Sequence, residues 1–144
     1  MLEYLYKAVT VWFFGFFPFF EIIVAVPAGL AIGLDPFSVI IFSVAGNITP
    51  IFLIEYGYSW LMKSSRIQNW VNKLYSEKVS SNVNKYGIWY ILLITPWVGV
   101  WAMGVAAKVL KMKKRVFIWG SFFSILAYAI VTVILIQLGI NIFT

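Results

Sequence analysis

Two basic clusters flank one apolar block, and this arrangement limits the path of the chain more than any other feature. The first cluster lies between Lys63 and Lys85 and holds Lys63, Arg66, Lys73, Lys78 and Lys85. The second is "KVLKMKKR", with Lys108, Lys111, Lys113, Lys114 and Arg115. The block between them, Tyr86 to Ala107, is long enough to cross a membrane once. A single crossing would put the clusters on opposite sides. Lys and Arg collect on the cytoplasmic side of membrane proteins, so that path opposes the orientation bias.

Composition is what makes a membrane the relevant solvent. Of the 144 residues, 62% are hydrophobic and 11% charged. Soluble domains are nearer half apolar and about a quarter charged. Too little polar surface exists to cover a water-soluble globule. The chain has no cysteine and no histidine. Disulfides, thiolate or imidazole metal sites, and Cys- or His-based catalysis are therefore excluded. The carboxylates are Glu3, Glu21, Asp35, Glu55 and Glu77, a poor supply for acid–base chemistry. No enzyme, cofactor or metal is expected. The net charge of +6 reads as topology, not as nucleic-acid binding. The apolar stretch after Lys7 is too long for a signal h-region, so cleavage of a leader is not expected.

Four apolar blocks start at Ala8, Phe37, Tyr86 and Val116. Four plain spans leave one basic cluster outside whichever way the molecule is turned. The conflict disappears if the first and third blocks enter the membrane, break near a proline and return. Arms of about 12 residues are about 18 Å long, enough to pass the middle of a ~30 Å core. The expected fold is all-α and integral to the membrane, with two inverted repeats. Each repeat is a re-entrant helical hairpin plus one transmembrane helix. The segments are hairpin 8–34, crossing helix 37–61, cytoplasmic amphipathic linker 63–85, hairpin 86–110 and crossing helix 116–140. Residues 63–85 and 108–115 then lie in the cytoplasm of a multi-pass cell-membrane protein. In the linker, Ile67, Trp70, Val71 and Leu74 follow helical spacing, and "SRIQ" is a capping-box start.

Glu21 is the first candidate for chemistry. A carboxyl deep in a hairpin is costly unless neutralised or paired, which suits a group that carries a proton or coupling cation. Against this stands a purely structural role, capping the returning helix after Pro18. Pro18, Pro27 and Pro96 interrupt helical hydrogen bonding, and irregular backbone at membrane depth needs protein or a wet cavity around it. "AGNITP", Ala45 to Pro50, suits either a discontinuous helix lining a site or a close helix contact at Gly46 with Asn47 as a tie. Pro27, Asn47, Thr49, Thr95, Pro96 and Gly99 are candidate lining residues. Pro18-x-x-Glu21 and Pro96-x-x-Gly99 occupy equivalent places in the two hairpins. Glu55, near Tyr56, Tyr58 and Trp60, reads as part of an interface belt. Lys108, Lys111, Lys113, Lys114 and Arg115 set topology and are candidates for contact with lipid headgroups. Lys108 lies one turn deeper, where pairing with Glu21 is conceivable.

"PFFEIIVAVPAGLAIGL", "GNITP" and "YGIWYILLITPWVGVWAMGVAA" resemble the small multidrug export protein family, a compact relative of the DedA and SNARE-associated Golgi group. The resemblance implies two opposed re-entrant hairpins and transport or lipid handling coupled to protons or membrane potential. It carries Glu21 and Pro27 onto the first hairpin motif, Asn47 onto "GN", and Pro96 and Gly99 onto the second hairpin. Two residues after the glutamate the family pattern has an arginine, whereas this chain has Ile23. The functional expectation is a proton- or cation-coupled transporter for an amphipathic or lipid-like substrate, working as a homodimer or larger among membrane lipids. An energy-independent lipid scramblase and a non-catalytic scaffold are the alternatives.

Overall fold

A computed structural model describes residues 1–66, 68–69, 85–109 and 112–143. Their regular structure is entirely helical: α1 (Leu2–Phe16), α2 (Glu21–Ala31), α3 (Pro36–Leu61), α4 (Ile88–Val98), α5 (Val100–Val109) and α6 (Lys114–Phe143). Two segments are long and apolar enough to cross a membrane, Pro36–Trp60 and Lys114–Gly139. The residues of the expected linker helix, Ile67, Trp70, Val71 and Leu74, lie outside the described set, as does Lys111. By its contacts the chain divides into two units, residues 1–48 with 125–144 and residues 49–124.

In the first unit, α1 and α2 pack as a helical hairpin. A Glu3–Lys7 ion pair at 2.7 Å joins neighbouring turns at the start of α1. Ala8, Val11 and Gly15 form its buried stripe, at the three- and four-residue spacing of one helix face. Gly29 of α2 lies against Val11 and Val39. The end of α2 returns to the start of α1, where Glu3, Tyr4 and Lys7 share a cleft with Gly33, Leu34 and Asp35.

The junction between α2 and α3 explains that return. Gly33 is left-handed at φ +76°. The Leu34 amide donates to the Gly29 carbonyl at 3.1 Å and the Gly33 amide to that of Leu30 at 3.0 Å. This double closure is a Schellman stop. Asp35 then caps α3, accepting the Ser38 amide at 2.9 Å, with Pro36 in the first helical position that suits it. The Ser38 hydroxyl shares a 2.8 Å hydrogen bond with the Tyr4 hydroxyl, tying the starts of α1 and α3 together.

The Ser38 hydroxyl and amide hold the Asp35 carboxyl below its ordinary range. A carboxyl shifted down in the folded state adds stability above its unfolded pKa and loses it as pH falls through the folded value. The melting temperature should therefore drop on acidification through the carboxylate range. Asp35→Asn keeps a capping side chain and should flatten that part of the pH profile, as read by tryptophan fluorescence in detergent.

One close helix contact in this unit is backbone on backbone. A Cβ added to Gly46 would lie 2.1 Å from the Trp12 carbonyl oxygen, and one added to Gly15 would lie 2.6 Å from that of Ser43. Of the two readings of "AGNITP", the structure shows the close contact at Gly46 but, among the described residues, no hydrogen-bond tie from Asn47. α3 runs unbroken through Pro50, because a proline removes one helical bond without ending a helix packed on both sides of it.

In the second unit, Ile54 and Val105 form a small core with Tyr58, Met62, Trp101 and Val109 around it. Gly104 admits Ile54, whose Cδ1 would lie 2.7 Å from an added Cβ. α4 and α5 contact each other and meet at Gly99. Large apolar side chains are exposed along most helices, among them Leu5, Phe13, Ile41, Phe52, Leu93, Phe123 and Leu135. Such a surface suits lipid and not water.

Candidate functional site

The turn between α1 and α2 is set by Pro18. Phe17, the residue before it, is extended at φ −74°, ψ 132°, because proline bars its predecessor from the helical region. The amides of Phe20 and Glu21 both donate to the Phe17 carbonyl, at 3.1 and 3.2 Å. Glu21 then opens α2 with φ +46°, and no other non-glycine residue among those described has a positive φ. For a residue with a Cβ this region costs about 1–2 kcal/mol. The residue is also only 8% exposed.

The second break shares the spacing but not the local path, since Pro96 lies inside α4. Gly99 follows Pro96 by three residues, as Glu21 follows Pro18, and it too is left-handed, at φ +91°. Glycine adopts that conformation without steric cost. The first hairpin thus keeps a carboxyl in a buried, strained position that glycine would fill freely. Strain of this kind points from structure towards function.

The other residues read from the sequence fall as follows. Asn47 is 1% exposed on α3, and neither its Nδ2 nor its Oδ1 has a hydrogen-bond partner among the described residues. A buried amide left so is costly and marks a place for water or a polar ligand. Pro27 is exposed within α2, and Thr49 is half-buried on α3. Thr95, Pro96 and Gly99 are buried, with the Gly99 amide donating to the Thr95 carbonyl at 2.9 Å. Glu21, Pro27 and Asn47 belong to the first unit; Thr49, Thr95, Pro96 and Gly99 belong to the second.

The second unit also holds an ion cluster. Lys108 on α5 donates to Glu55 on α3 at 2.8 Å, so its partner is Glu55 and not Glu21. Lys114, the first residue of α6, lies 3.6 Å from the other Glu55 oxygen and 4.8 Å from the Tyr56 ring centre. Lys113 and Arg115 are exposed beside it. From the sequence Glu55 reads as a belt residue or part of the permeation path, not as an ion-pair partner of Lys108. The signal that could have found the pair is depth: Glu55 and Lys108 are opposite charges set inside their apolar segments, away from the polar ends.

The family model described as "Putative small multi-drug export protein" matches residues 21–131. That range begins at Glu21, just after the first break, and runs through the second break into α6. No curated protein and no solved structure matches the chain.

Proposed function

The chain belongs to the small multidrug export protein family, and from that premise we propose that it is a proton- or cation-coupled transporter of an amphipathic or lipid-like substrate. Glu21 carries the coupling ion. The observation behind this reading is its placement: buried, left-handed, and equivalent to Gly99 in the other break. Asn47 supplies unmatched polar atoms on α3. Pro27 lies in the same unit as Glu21 and Asn47, and a homodimer is the working unit in the cell membrane.

In this reading both hairpins are re-entrant and form inverted repeats. Two contacts support it. Glu55 lies near the end of one candidate span and Lys114 opens the other, yet they are paired. The chain between those spans therefore starts and finishes at one level. Likewise Tyr4 and Ser38 join the start of α1 to the start of α3. Cysteine labelling tests the topology cleanly, because the native chain has none. Trp70→Cys and Lys113→Cys should label from the cytoplasm, Asp35→Cys and Thr144→Cys from outside. Labelling of Trp70→Cys and Lys113→Cys from opposite faces would sink the re-entrant arrangement.

Function is tested in proteoliposomes loaded with a fluorescent amphipathic dye. Efflux should follow an imposed pH gradient and stop when an ionophore dissipates it. Movement of labelled lipid that continues without a gradient would favour scrambling instead.

A further inference from the structure

The Glu55 cluster borders a cavity of about 260 Å³ whose remaining wall is Ala107, Met112 and Phe117. Two ammonium groups face one carboxylate there, which among the described residues leaves one positive charge unmatched. The Lys114 contact, at 3.6 Å, is too long for a direct hydrogen bond, so this ammonium is only loosely held. Lys114 also opens a 30-residue helix, whose N-terminal dipole adds positive potential. The cavity thus pairs an anion-attracting corner with an apolar wall.

We propose that this cavity binds the phosphate of an amphipathic lipid, and that Glu55 is an internal carboxylate which the phosphate displaces. A phosphate offers more acceptor oxygens to Lys108 and Lys114 than a carboxylate does. Met112 and Phe117 receive the first part of the acyl chain. Free phosphate makes the same polar contacts but gains nothing from the apolar wall. The site depends neither on Glu21 nor on transport.

Binding to the purified full-length protein in neutral detergent tests this. The probes are dioctanoyl phosphatidic acid, inorganic phosphate and dioctanoylglycerol, which has no phosphate. The wild type should bind phosphatidic acid best and dioctanoylglycerol least. Lys108→Gln and Lys114→Gln should each weaken phosphatidic acid by about tenfold, while Lys63→Gln and Arg66→Gln, exposed cations away from the cavity, leave it unchanged. Glu55→Gln should tighten it by about fivefold, because a partly exposed ion pair no longer competes. Glu55→Asp, which draws the carboxylate back from Lys108, should shift affinity in the same direction and serves if Glu55→Gln does not fold. Weaker binding by both Glu55 variants would overturn the proposal. So would equal losses on changing Lys63 or Arg66, the mark of surface adsorption. Inorganic phosphate binding as tightly as phosphatidic acid would overturn the lipid assignment.

Discussion

Gly46→Leu should abolish the folded protein, and Gly46→Ala should cost about 3 kcal/mol, the upper end for overpacking. The added Cβ would meet the Trp12 carbonyl oxygen at 2.1 Å. That neighbour is backbone, so no side-chain rotation can relieve the clash, and α1 would have to move off α3. Gly57 is the internal control. It lies on the same helix, and nothing lies within 4 Å of its added Cβ. Gly57→Ala should be neutral or slightly stabilising, since alanine is the better helix former by about 1 kcal/mol. Melting curves and gel-filtration profiles of both variants in one detergent separate the cases. Equal behaviour would show that the α1–α3 contact is not as close as described.

Replacing Glu21 should separate stability from activity. Glu21→Gln keeps the shape and the left-handed strain but removes the titrating group, so gradient-driven efflux should fall to background with the melting temperature little changed. Glu21→Gly should also be inactive, yet more stable by about 1 kcal/mol, because glycine takes φ +46° without strain. A more stable, inactive Glu21→Gly would mean that stability is given up for the carboxyl at this position. If Glu21→Gln still couples efflux to the gradient, the carboxyl is a structural cap and the coupling assignment fails.

Much of this was legible in the sequence where the controlling physics is local or statistical. The two breaks were placed by Pro18-x-x-Glu21 and Pro96-x-x-Gly99, although Pro96 itself stays inside α4 and the chain breaks three residues later, at Gly99. The left-handed conformations were not read from the sequence. "GLDPFS" announces both the end of α2 and the cap of α3 through residues that each act within one turn. The all-helical, apolar character follows from composition. The family resemblance on Glu21, "GN" and Pro96 agrees with the match over residues 21–131. The contacts that decide packing were not legible, because their partners are far apart in the chain. Nothing near Gly46 names Trp12 as its neighbour, and nothing near Lys108 chooses Glu55 over Glu21. Pro50 left two readings open for a related reason: its effect on a helix depends on what packs around it, which lies outside its own segment.

The pairing of Glu55 with Lys108 and Lys114 also sets an order of events during synthesis. The carboxylate leaves the ribosome before either lysine exists. The first span must therefore enter the bilayer with Glu55 uncompensated, at a cost of several kcal/mol if it goes deep. Its cations arrive only after α5 has been made and α6 begun. The early span is thus held loosely near its Glu55 end and secured late, which leaves α3 free to adjust its depth until the last helix is begun.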